Sequence, residues 1–169
     1  MEGIIDGKFY SPTCGNITKD EMLEEIVKYM ESDPEKFYEV IVGCDSSSSQ
    51  EPNFPIALAV LKTGEGGRFF LRKIKYPPSF NKRFVVWKNR ILQETLLACE
   101  LAQSLRDEFK NKIHKNLRYQ FRYIHADIGE NGETKEMIKE LTGLIRGNGF
   151  EPKIKPEAYI ATTLADKYS

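Results

Sequence analysis

The chain has 169 residues, with 25 basic and 25 acidic side chains, 40% hydrophobic and 30% charged positions. That length suits a single domain (1–169) burying about two-thirds of its unfolded surface, and zero net charge argues against generic polyanion coating. No apolar run approaches the ~20 residues that cross a bilayer, and "MEGIIDGKFY" lacks the basic and apolar regions of a signal peptide, so a cytoplasmic protein is expected.

In chain order, "NITKDEMLEEIVKYMES" opens on Thr18 with Glu21 three residues on, the spacing of a capping box. Met22, Leu23, Ile26, Val27 and Met30 follow at helical spacing, and Asp33-Pro34 breaks the helix. Residues 1–36 therefore read as an extension with a capping helix, and residues 37–169 as the main body of the domain. Tyr38 to Asp45 is β-branched and reads as a strand buried on both faces. Phe54 to Leu61 and Arg68 to Tyr76, joined by "TGEGG", read as a hairpin closed by Pro77-Pro78.

Arg83 to about Lys112 is the longest helical pattern, with Ile91, Leu92, Thr95, Leu96, Cys99, Ala102 and Leu105 as its apolar stripe. Arg118 to Asp127 returns to strand, and a period of two puts Tyr119, Phe121, Tyr123, His125 and Asp127 on one face. Thr134 is placed to cap a helix that Gly147 and Gly149 stop. Phe150 to Lys155 is a further strand, and Pro156 suits the first turn of a last helix, "EAYIATTLADKY". A meander followed by alternating helices and strands predicts a mixed α/β sheet with helices packed on its faces.

Charge is unevenly placed. Asp20 to Glu39 carries eight acids against two lysines, whereas Arg68 to Arg90 carries eight basic residues and no acid. The second stretch is either a solvated face or a local surface for a polyanion. Cys14, Cys44 and Cys99 are too few and too scattered for a disulfide framework or a zinc site, and His114 and His125 are the only histidines.

Four acids stand at the ends of elements or on helices that could converge: Asp45 closes the first long strand, Glu94 lies on the long helix, Asp127 closes the fourth, and Asp166 lies near the end of the last helix. Were the strands of Asp45 and Asp127 adjacent and parallel, both carboxylates would emerge where open α/β sheets bind ligands. Clustered carboxylates need compensating cations, and Mg²⁺ or Mn²⁺ with oxygen ligands supplies them. Each acid also has an ordinary reading, as a turn residue or a surface helix charge.

"FYSPTCGNIT", "DPEKFYEVIVGCDSS", "RILQET", "HADIG", "EPKIKP" and "ATTLADKY" resemble the ribonuclease-H-like YkuK family, over about Phe9 to Tyr168. The resemblance implies a ribonuclease-H-like α/β fold: a mixed five-stranded sheet in the order β-β-β-α-β-α-β-α, helices on both faces, and an extra N-terminal helix. By it, Asp45, Glu94 and Asp127 match the first three metal-binding acids of the superfamily, and Asp166 the variable fourth. The expected activity is hydrolysis of phosphodiester bonds in RNA, DNA or a hybrid, with one or two Mg²⁺ or Mn²⁺ ions.

Ser46 and Ser47 could present hydroxyls to phosphate, and Arg83, Lys135, Lys153 and Lys155 are expected near the nucleic-acid backbone. His125 reads as a proton carrier or a core residue, and Trp87 as a base-stacking or a core residue. The rival expectation is a non-catalytic module of this fold that binds nucleic acid or protein. No glycine-rich phosphate loop is present, which places a phosphotransferase behind both.

Overall fold

Two short strands that the sequence pattern did not separate come first, Phe9–Ser11 (β1) and Gly15–Ile17 (β2). Gly15 closes this antiparallel hairpin with φ of 74°, a backbone state that costs glycine nothing. The computed structural model, which describes residues 3–45 and 53–155, continues with helix Lys19–Glu31 (α1). The capping box forms as expected. Thr18 Oγ1 accepts from the Glu21 amide at 3.2 Å, and Glu21 Oε1 accepts from the Thr18 amide at 3.1 Å.

Strands Phe37–Cys44 (β3), Asn53–Lys62 (β4) and Gly67–Lys75 (β5) form the antiparallel meander. The next segment departs from expectation, because the long helix does not begin at Arg83. A short helix Asn81–Val85 (α2) ends at Val86, whose ψ of 112° is extended, and helix Trp87–Lys112 (α3) starts there. Two side chains of α3 bind the carbonyls that α2 leaves open: Asn89 Nδ2 donates to Arg83 O at 3.0 Å and Arg90 Nη1 to Phe84 O at 3.3 Å. The break also lets Phe84 pack edge-on against Phe54, with ring centres 5.0 Å apart.

Strand Arg118–Ala126 (β6) pairs parallel with β3, but the register shifts between Val40 and Ile41. Val40 faces Phe121 and Ile41 faces Tyr123, so Arg122 is the extra residue of a bulge. The expectation that Tyr119, Phe121, Tyr123, His125 and Asp127 share one face is therefore wrong: Tyr119 and Phe121 pack into the helix-side core with Ile124 and Ala126. After a 3₁₀ turn over Glu133–Met137 come helix Ile138–Gly147 (α4) and strand Glu151–Lys153 (β7). Thr134 does not cap that helix. Its hydroxyl instead accepts from the Gly129 amide at 3.1 Å, bracing the loop after β6.

The seven strands form one mixed sheet in the order β2-β1-β5-β4-β3-β6-β7, with β6 parallel to both of its neighbours. The hairpin β1–β2 accounts for the two strands beyond the five expected, joining through Tyr10↔Leu71. The buried apolar residues of all four described helices belong to one core against one sheet face. The opposite face carries a smaller apolar cluster around Ile41, Ala57, Ala59 and Leu71. β3 is buried on both faces, as its composition indicated. The last expected helix, and with it Asp166, lies outside the described residues, as do Ser46 and Ser47.

Replacing Thr18 by Ala removes half of the capping box and should lower stability by about 0.5–2 kcal/mol, whereas Thr18→Ser should restore most of it. Urea unfolding of the three proteins measures the difference.

Candidate functional site

The site follows from one pairing. β3 and β6 run side by side and parallel, in register to their last residues, Cys44↔Ala126. Asp45 and Asp127 are the next residue of each strand, so they leave the sheet together, at strand spacing of roughly 4.8 Å. Asp45 is held at this edge by its amide, which donates to Pro55 O at 3.4 Å and extends the ladder toward β4.

Glu94 reaches the same end from α3. It is only 4% exposed and lies on the buried side of the helix with Leu97, Ala98 and Leu101. The expected stripe is buried at Thr95, Cys99, Ala102 and Leu105, and only Leu96 turns out to solvent, at 40% exposure. Glu94, Cys44, His125 and Asp127 line one small pocket with Thr95 and Ile128. A carboxylate in such a place costs free energy unless its charge is compensated. The Cys44 thiol registers the crowding of anions: burial first, then Glu94 and Asp45, hold its pKa well above the usual thiol range.

The compensating charge on view is Lys155. Its Nζ lies 2.7 Å from Asp127 Oδ1, a buried oxygen with no aligned hydrogen-bond donor among the described residues. The close Asp127 carboxylate is the main influence raising the pKa of Lys155, and the charges of Asp45 and Glu94 add to it against the opposing effect of burial. One ammonium therefore feels the charge of all three acids, Asp127 most strongly. Lys153, also expected near the nucleic-acid backbone, sits over the Tyr123 ring, 4.5 Å from its centre.

His125 is 3% exposed. Burial, and then the Lys153 charge, lower its pKa to about 4, so it is neutral at pH 7 and adds no positive charge to the site. Trp87 packs against the main core, the ordinary alternative for it. Arg83 is exposed on α2, its guanidinium 5.9 Å from the Phe84 ring. Phe84 is anchored on Phe54, next to the Pro55 that bonds Asp45, so Arg83 rises from the same end of the sheet. Lys135 is exposed in the 3₁₀ turn, and that turn meets the start of α3 through Lys88 and Glu136 at 3.4 Å.

Sequence reasoning located the acids and missed the pairing of Lys155. Lysine next to a proline after a short strand looks like any surface lysine. Only the parallel course of β6 and β7 brings it beside Asp127.

A ribonuclease H-like family model matches residues 21–169. The chain belongs to the ribonuclease H-like family. It is similar to the uncharacterized protein YkuK of Bacillus subtilis (strain 168), at 28% identity over 172 residues covering 95% of this chain and 96% of that protein. No solved structure matches. The mixed sheet fits this membership, whereas the four described helices stack on one of its faces and not on both as expected.

The pocket's donors are of the kind a hard divalent ion takes: two carboxylates, Glu94 and Asp127, and no soft ligand but a protonated thiol. Among the described residues, however, no group of three or more His, Cys, Asp or Glu side chains stands ready to hold a metal ion. Here the cation at Asp127 is an ammonium. Among the described residues, no helix is long and apolar enough to cross a membrane.

The burial of the cysteines sets a simple expectation. Cys14 is exposed, whereas Cys44 and Cys99 are buried, with burial pushing Cys99 up to about 11. An aromatic disulfide reagent at pH 8 should titrate one thiol rapidly in the folded protein and all three after denaturation.

Proposed function

We propose that this ribonuclease H-like domain is a metal-dependent phosphodiesterase acting on nucleic acid. The observation that supports the reading is that Asp45 and Asp127 directly follow paired residues of adjacent parallel strands, with the buried Glu94 lining a pocket with Asp127. Asp45, Glu94 and Asp127 would hold the ion or ions, Mg²⁺ or Mn²⁺, with Asp166 as a variable fourth ligand. Bound there, a divalent cation supplies charge for the phosphoryl oxygens and an activated water at neutral pH.

The rest of the work falls to the chain itself. Glu94, fixed on a packed helix, orients without needing to order a flexible side chain on binding. The apolar neighbours Ile91, Ala98, Ile124 and Ile128 keep water out of the pocket and strengthen its electrostatics. His125, neutral and buried, shapes the pocket rather than carrying charge. Arg83 and its neighbour Lys82, exposed at the same end, would position the phosphate backbone without reading sequence. Ser46, Ser47, Lys135 and Lys153 are the further backbone contacts proposed.

A second reading is a module of this fold that binds nucleic acid or protein without hydrolysis. The specific observation in its favour is Lys155, whose ammonium already holds Asp127. The two readings separate in one experiment. Purified protein is incubated with Mn²⁺ and labelled RNA, DNA and hybrid duplexes, beside Asp45→Asn and Asp127→Asn. The nuclease reading expects metal-dependent cleavage that each substitution lowers by about 100-fold or more. Cleavage surviving Asp45→Asn would remove this site from the reaction, and salt-sensitive binding without turnover would favour the module. Under either reading, Arg83→Ala should weaken binding across sequences and reduce the slope of log affinity against log salt by about 1.

A further inference from the structure

We propose that Lys155 is a cation built into the carboxylate cleft, which neutralises Asp127 when no divalent ion is bound and must leave it for an ion to enter. This rests on the metal-site reading above and goes beyond it, because it names a residue of the chain as the ion's competitor.

Three observations place the lysine there. Its main chain is fixed to the segment that follows Asp127: the Lys155 amide donates to Ile128 O at 2.8 Å. The two strands of chain also touch closely, since a Cβ added to Gly129 would lie 3.2 Å from the Lys155 Cβ. Gly129 thus provides the room that lets Lys155 lie beside the acid. Its ammonium ends 2.7 Å from Asp127 Oδ1, a buried oxygen with no aligned donor among the described residues.

An ordinary surface ion pair joins one anion to one cation and is worth little. This one differs in its surroundings. The same ammonium is also within electrostatic reach of Asp45 and Glu94, so it faces three like charges that would otherwise repel each other. A divalent ion seeking those carboxylates meets a positive charge already on one of them. Binding the ion therefore includes displacing the lysine from Asp127. The Lys155 side chain is 53% exposed, so its flexible stem has solvent to move into.

The test uses the full chain and Mn²⁺ alone, read from the electron paramagnetic resonance signal of the free ion. Lys155→Met removes the competing charge and should bind Mn²⁺ about tenfold more tightly than the parent protein, or bind it where the parent does not. Lys155→Gln, which keeps a polar end and guards against loss of folding, should show a gain of the same sign. In EDTA, Lys155→Met should melt below the parent, and added Mn²⁺ should raise its melting temperature by more than it raises the parent's. Equal or weaker Mn²⁺ binding by both variants overturns the proposal and leaves the metal-site reading standing. Failure of parent and variants alike to bind Mn²⁺ overturns both.

Discussion

The parallel pairing of β3 with β6 is what the candidate site depends on. Parallel neighbours point their C-terminal ends the same way, so residues that end them arrive together. The bulge at Arg122 matters here, because it lets β6 recover a register in which Gly43 faces His125 and Cys44 faces Ala126. Were β6 to alternate strictly through Arg122, with no bulge, the inward and outward faces of the strand's end would exchange. Ile124 and Ala126 would then leave the core, and Asp127 would emerge turned relative to Asp45. One irregular residue sets the orientation of everything downstream.

Given that convergence, electrostatics constrains the chemistry. Glu94 and Asp127 share a pocket whose walls are largely aliphatic, where repulsion between carboxylates is poorly screened. Such an arrangement persists only with positive charge nearby. Among the described residues that charge is the ammonium of Lys155, beside Asp127. A hydrolase would need a stronger Lewis acid, and a binding module would not. The two proposed readings therefore differ in the cation they require at Asp127.

Much of this could be read from the residues. The capping box at Thr18 and Glu21 depends on atoms three residues apart, and it formed as expected. The meander, the long helix and the alternation after it also followed local pattern. What escaped was non-local or depended on one backbone angle. Strict alternation along Tyr119 to Asp127 concealed the bulge, because a sequence carries no mark for a residue skipped by its neighbour strand. Val85-Val86 hid the break before α3, since β-branched residues are tolerated in helices and only the packing of Phe84 required a turn there. Strands of three residues, as in β1 and β2, give too few alternations to stand out.

The site divides in the same way. Asp45 and Asp127 could be placed because each closes a strand, and their partnership needed only the strand order. Glu94 was placed by resemblance to the family, while the helical stripe drawn from apolar residues ran past it and included the exposed Leu96. That mismatch is itself informative. The face of α3 that meets the sheet carries Glu94, Leu97, Ala98 and Leu101, three aliphatic residues and one acid. Packing alone would favour a fourth aliphatic residue there, because burying a carboxylate opposes folding while a leucine would assist it. An acid kept at the seam, lining one pocket with Asp127, is the feature of α3 that packing does not explain.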